Sequence, residues 1–312
     1  MAAAARQWLQ LLNAEQKSRG VFSFDDPHRL RWFFTPQQDS QRRYTRKGLP
    51  LEELNAEQKA AALRLLEAGL SRRGYEQALG ILQLEGLLAE LEGSKGAMVR
   101  NPQWYFISIF GEPSSSGRWG WRFEGHHLSV NYTLDRGEVV SATPLLFGAN
   151  PAEIKAGAKR GLRTLPEIED HARTLIRSLT PEQLKLARQE KHFPEIQEGQ
   201  PRANVGRPVG IVASALQEGQ RHTLAALLQA YTSRMPDDIA AVEQRRWQTA
   251  GWERLYFAYS GSAEPGQAYT YRIQGPDFVV EFLNVQNDSA RNPANHIHSA
   301  WRRLPADFGL KQ

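Results

Sequence analysis

Apolar positions follow two alternating grammars along this chain. Trp8, Leu9, Leu11 and Leu12 recur at helical spacing over residues 1–17, and an extended stretch follows from Val21 to Phe24. Residues 37–48 are polar and basic and read as a loop. From about 55 to 92, Leu63, Leu65, Leu66, Leu70, Leu79, Leu82, Leu87, Leu88 and Leu91 mark helix, which Ser71–Tyr75 breaks into two. The pattern turns to β over about 103–146, in Trp104–Phe110, Trp119–Thr133 and Val139–Pro144, with a hairpin turn at Asp135–Glu138. Helices return at 166–192 and 220–248, on either side of a Gly- and Arg-rich loop at 201–208. Strands close the chain at 254–259, 268–274, 278–284 and about 295–302. The order α, β, α, β with hairpin-like strand spacing predicts an α+β fold, a largely antiparallel β-sheet core with flanking helices.

Helix starts share a wording. Asn55–Gln58 and Thr180–Gln183 each place a capping side chain three residues before a glutamine, and Pro181 sits where a missing N–H costs nothing. Asn13–Gln16 repeats the wording, although it can equally lie inside the first helix. Asn-Ala-Glu-Gln-Lys occurs at both 13 and 55. Because the similarity stops there, capping chemistry explains it better than an internal repeat.

At 312 residues, 41% of them apolar and eight of them tryptophan, the chain can bury a substantial core. Its 39 basic and 34 acidic residues are interspersed, and no RRM or zinc-finger signature accompanies the net charge of +5, so specific nucleic-acid binding is not expected. The absence of cysteine removes disulfides, thiolate ligands, iron–sulfur clusters and a cysteine nucleophile. No signal peptide is visible, and no apolar run approaches the roughly 20 residues of a membrane helix. The expectation is a cytoplasmic protein with a small-molecule substrate and no membrane partner. Nucleotide-binding glycine motifs, a Gly-x-Ser-x-Gly elbow and His-Glu-x-x-His are all missing.

The chemistry concentrates in histidine. Four of eight histidines fall in two pairs, His126-His127 and His296-Ile297-His298. Imidazole is the commonest metal ligand and suits proton transfer near neutral pH. Side chains at i and i+2 of a strand share a face roughly 6.5 Å apart, so His296 and His298 can converge on one ion. Adjacent residues of a strand face opposite ways, so one of His126 and His127 is the expected ligand and the other a helper, unless Gly125 introduces a bulge. Glu281 lies in the apolar run Phe278–Leu283, where a buried charge needs a cation, and Glu124 shares the face of His126. Either carboxylate would be fourth ligand or general base. Arg302 would orient an anionic substrate group, or else pair with Asp307 or Glu281. His28 reads as a turn residue, and His171, His192 and His222 as surface groups. Trp119, Trp121 and Phe123 alternate on one face and suit core packing better than a substrate platform.

Several motifs together look familiar: Arg29–Pro36, Arg100–Pro102 with Trp104-Tyr105, Phe110–Pro113, Trp119–Ser129, Thr143-Pro144 followed by Phe147–Pro151, His296–Arg302, and Asp307–Gly309. This combination spans nearly the whole chain and resembles the DUF3500 family. The resemblance implies one family unit over 1–312, hence a single domain: a helical part to about 95, β at 103–146, a helical insertion at 150–248 and β at 254–304. It carries no activity with it. The residues themselves favour a divalent-metal-dependent enzyme, a hydrolase if the ion is zinc and an oxidoreductase if it is iron or copper. The alternatives are a non-catalytic ligand- or partner-binding protein with structural histidines, and a metal-free acid–base enzyme using His and Glu.

Overall fold

In a computed structural model, which describes residues 1–93 and 96–310, the capping signals mark true helix starts. Asn13, Asn55 and Thr180 each accept from the backbone N–H three residues on, while Gln16, Gln58 and Gln183 reach back to the cap's own N–H. Asn13 therefore begins a second helix instead of lying within the first.

By its internal contacts the chain divides into two compact units. The first comprises Met1–Phe147 with Glu198–Arg202 and the C-terminal residues from Ala306. It contains helices α1 (Ala2–Leu11), α2 (Ala14–Gly20), α3 (Ala56–Ala68) and α4 (Arg72–Glu92). Its strands are β1 (Val21–Phe22), β2 (Leu49–Pro50), β3 (Phe106–Phe110), β4 (Arg118–Gly125), β5 (Leu128–Asp135), β6 (Glu138–Ser141) and β7 (Leu145–Ala149). They run in the order β1-β3-β4-β5-β7, with β2 on β3 and β6 on β5. The second unit comprises Gly148–Gln197 and Ala203–Pro305. It holds α5 (Pro166–Ser178), α6 (Pro181–Ala187), α7 (Glu218–Thr232) and α8 (Asp237–Ala250). Its strands β8 (Ile211–Val212), β9 (Tyr256–Gly261), β10 (Tyr269–Gln274), β11 (Phe278–Asn284) and β12 (Ile297–Arg303) run β8-β9-β10-β11-β12. Helices of the region 150–248 thus belong with the strands that follow them.

The fold is α+β with a largely antiparallel sheet core: β1 runs parallel to β3, and the neighbouring pairs from β3 to β5 and from β8 to β12 are antiparallel. Trp119–Thr133 is two strands and not one, divided at His126-His127. Strand β7 escaped the sequence pattern because all five of its residues are buried and show no alternation. Among the described residues no helix is long and apolar enough to cross a membrane.

The two units repeat one arrangement. In each, a capped glutamine pair joins two helix starts through reciprocal amide bonds: Gln16 with Gln58 (3.2 and 2.9 Å) and Gln183 with Gln220 (3.0 and 2.8 Å). Gln58 and Gln220 each also donate to the last carbonyl of the preceding long helix, Leu11 O and Ser178 O. Strand registers agree as well. Arg122 stands opposite Ser108 and Asn131, and Arg272 stands opposite Ala258 and Glu281, with one common sequence interval between the two sets. The same interval relates the β4–β5 turn at Gly125–Leu128 to the β10–β11 turn at Gly275–Phe278. Asn-Ala-Glu-Gln at 13 and 55 is not a repeat of itself. It is one capped pair, and the pair recurs at Gln183 and Gln220.

Each unit packs helices on the apolar face of its strands and an irregular strap on the polar face. In the first, Trp121 stacks on Tyr132 (centroids 5.1 Å), whose hydroxyl donates to Gly69 O at the end of α3. Trp119, Trp121 and Phe123 are all buried, as core packing requires. On the opposite face lie Ser108, Arg122, Glu124, Ser129 and Asn131, covered by the strap of residues 23–47. In the second, Tyr271 stacks on Phe282 (4.5 Å) and donates to Ile168 O of α5, and Trp301 donates to Glu243 of α8. Its polar face carries Ser260, Thr270, Arg272, Glu281, His298 and Arg302. The second strap, residues 192–197 and 203–206, binds that face through Phe193 N to Thr270, Arg302 to Gln197 O and Arg272 to Val205 O.

Candidate metal centre

His296 and His298 are held in place by the polar residues that precede them. Asp288 accepts from Asn292 N (2.8 Å), Asn292 Nδ2 (2.8 Å) and Asn295 Nδ2 (2.7 Å), which closes the loop between β11 and β12. Asn284 Oδ1 then accepts from His296 N at 3.0 Å. His298 follows on β12, facing the second strap, and is 7% exposed. The two rings meet edge to face, with Nε2 to Nε2 at 3.1 Å. Two nitrogens bound about 2.0–2.1 Å from a tetrahedral ion lie about 3.3 Å apart. The observed spacing is close to that of a ligand pair.

Glu195 of the second strap lies behind His298, its Oε1 2.9 Å from Nδ1. Burial works to raise the Glu195 carboxyl, but the His298 hydrogen bond and charge, with the Ile196 N–H, outweigh it and hold the group below its ordinary value. In the neutral form of the ring, a carboxylate at Nδ1 favours the tautomer that carries its proton there and leaves the lone pair on Nε2, facing His296. Carboxylates orient metal-binding imidazoles in this way. Nothing in the sequence pattern marks Glu195, because it lies in irregular backbone and meets His298 only through the fold.

In the first unit, His126 and His127 form the two-residue turn between β4 and β5, where Gly125 pairs with Leu128. The strand rule of opposite faces does not apply to them. His127 adopts a left-handed φ of 63°, and the two rings stack with centroids 3.7 Å apart. Gly125 makes no bulge; it allows close approach of Tyr105 and the Trp104 carbonyl. His126 Nδ1 is 2.6 Å from Glu85 Oε2 of α4 and 3.3 Å from Arg100, and its carbonyl accepts from Tyr105 OH (2.8 Å). His127 is buried, and its backbone N–H donates to Phe34 O (2.9 Å).

The carboxylates lie among arginines. Glu124 is 1% exposed, 3.0 Å from Arg46 and 3.6 Å from Arg122, and accepts from Phe33 N at 2.9 Å. Glu281 is buried and paired with Arg272 at 3.5 Å. Arg302 is fully buried and ties down the second strap through Gln197 O at 3.1 Å. Of the other histidines, His192 lies in that strap beyond α6, with Nδ1 2.7 Å from Ser260 Oγ.

His28 is buried in a short 3-10 turn, near Ser108 and packed on Phe22 and Phe110. Burial first, then the charge of Arg122, lowers its pKa to about 4 from 6.5. Below pH 6.5 the unfolded chain therefore binds a proton that the folded chain refuses until about pH 4. Stability is full above pH 6.5 and falls as pH drops, by about 3 kcal/mol at pH 4. His28→Gln is expected to remove that part of the pH dependence in urea denaturation at pH 7 and pH 4. An unchanged difference between the two pH values would refute the buried neutral imidazole.

Fold and histidines together define a class: an α+β protein with an imidazole pair at the start of a strap-covered strand, one ring backed by a carboxylate. The chain belongs to the family described as Protein of unknown function (DUF3500), whose model matches residues 1–310. No curated protein and no solved structure matches it.

Proposed function

We propose that the protein is a divalent-metal-dependent enzyme acting on a small polar molecule, with His296 and His298 holding the ion. The observation that carries this reading is the 3.1 Å approach of two Nε2 atoms, one backed by Glu195. His296 and His298 both belong to the second unit and are the ligands on which this reading rests. His126 is left out, since Glu85 and Arg100 hold its Nδ1. Two neutral imidazoles leave coordination positions open for water or substrate. Zinc there would activate water for hydrolysis, and iron or copper would support oxidation. Glu124 and Glu281 take no proton-transfer role in this reading, because each is already matched to a buried arginine.

The test is elemental analysis of protein purified without an affinity tag. About one equivalent of one transition metal is expected, lost in His298→Ala and in His296→Ala. Glu195→Gln is expected to keep the fold and weaken metal affinity by about 10–100-fold. Metal far below one equivalent in the wild type, unchanged by His298→Ala, would leave the 3.1 Å contact as an imidazole–imidazole hydrogen bond and overturn the reading.

A further inference from the structure

The strap of the first unit encloses a second, separate feature: a cleft of about 450 Å³ whose walls include Asp26, His28, Arg31, Phe33, Arg46 and Lys47. That volume is within the range of small-ligand sites, about 300–1,000 Å³. Its charges are unequally matched. Arg46 is satisfied, donating to Phe33 O (2.9 Å) and Thr35 O (2.6 Å) and pairing with Glu124 (3.0 Å). Asp26 accepts from His28 N at 2.7 Å. Arg31 and Lys47 are both exposed, and among the described residues neither has a carboxylate partner. Arg31 lies over the Phe33 ring at 5.9 Å, which places its planar fork along one wall. His28 faces the cleft as a neutral ring, so it neither cancels nor adds to the field.

We propose that this cleft binds a small molecule through a phosphate group, with Arg31 and Lys47 as the recognising cations. A guanidinium fork donates to two phosphate oxygens side by side, and a lysine supplies a compact second charge. Two unmatched cations suit a dianion, whereas a single carboxylate would leave one of them uncompensated. Asp26 at the rim works against binding and restrains its strength. Phe33 supplies a flat apolar wall for the remainder of the ligand. The cleft is independent of the imidazole pair, and the proposal holds whether or not that pair binds metal.

Inorganic phosphate is the probe, titrated into the full chain at neutral pH and followed by amide chemical shifts or calorimetry. Saturable binding is expected, weakened at least tenfold by Arg31→Gln and by Lys47→Gln. Asp26→Asn is expected to strengthen it several-fold, since an amide oxygen can still accept from His28 N. Lys185→Gln, the same charge change on an exposed residue of α6, should leave it unaltered. Both cleft positions are exposed, so these variants should fold, and unchanged denaturation curves would confirm it. Absence of saturable binding, or binding equally strong in Arg31→Gln and Lys47→Gln, would overturn the proposal. The second of those results would place the phosphate elsewhere, for instance on a metal at the imidazole pair.

Discussion

Arg122→Met is expected to destabilise the protein by about 3–5 kcal/mol, the cost of removing one partner from a buried ionic cluster. Arg122 is 1% exposed, and every edge of its guanidinium is used. Nε donates to Asn131 Oδ1 (2.6 Å), Nη1 to the carbonyls of His28 (3.2 Å) and Arg31 (2.8 Å), and Nη2 to the carbonyl of Arg29 (2.7 Å). Methionine would fill much of the volume but donate nothing, leaving three strap carbonyls without those bonds and Glu124 with only one arginine. Burial already pulls the Arg122 guanidinium down to about 10, against the raising effect of Glu124, so this cation is held by its hydrogen bonds and not by solvent. The matching residue Arg272 makes fewer bonds, to Val205 O (2.9 Å) and Glu281 (3.5 Å). Arg272→Met should therefore cost less, about 2 kcal/mol. Urea denaturation measures both. A loss below about 1 kcal/mol for Arg122→Met, the scale of an exposed ion pair, would mean that the strap does not depend on it.

Gly48→Ala and Gly210→Ala should each cost about 4 kcal/mol, from left-handed strain and steric overlap combined. Both glycines close a strap onto the strand beneath it, with φ of +105° and +97°. A Cβ on Gly48 would lie 2.8 Å from Ser108 Oγ and 3.0 Å from Ile107 O, and one on Gly210 would run into the Phe257 carbonyl. These carbonyls belong to corresponding strands and cannot swing aside without breaking sheet pairing. Gly86 in α4 is the control: beyond its chain neighbours and the backbone of its own helix no atom lies within 4 Å of its added Cβ, and Gly86→Ala should stabilise by about 0.5–1 kcal/mol. Equal effects at positions 48 and 86 would refute the steric account.

The sequence was legible where one local rule governs the outcome. Helix starts at Asn55 and Thr180 need only residues within four positions of each other, and Trp119, Trp121 and Phe123 need only the period of a strand, whereas Asn13 stayed ambiguous because the apolar spacing before it ran on without a break. His296 and His298 do meet, although β12 begins only at Ile297 and His296 lies just before it instead of within the strand. The rule failed at His126-His127, because neither residue is one of the usual turn-formers and the flanking strands run into them without a break. Glu195 and Glu85 were invisible for a different reason. Their partners His298 and His126 are far along the chain, and no spacing records a meeting made by tertiary packing. The matched halves were hidden too, because what they share is register and capping geometry, with few identical residues.

Where the two units match in register, one position can be compared with its counterpart, and the hairpin turns show how far the side chains differ. One turn reads Gly125-His126-His127-Leu128, its twin Gly275-Pro276-Asp277-Phe278. In the twin, Asp277 is committed to scaffold work, bound to Arg303 (2.9 Å) and Arg246 (3.3 Å). The other copy has set stacked imidazoles in that place. The same turn position therefore carries an ion-pair anchor in one unit and an imidazole in the other, so replacing Asp277 strikes at scaffold bonds that His127 does not make.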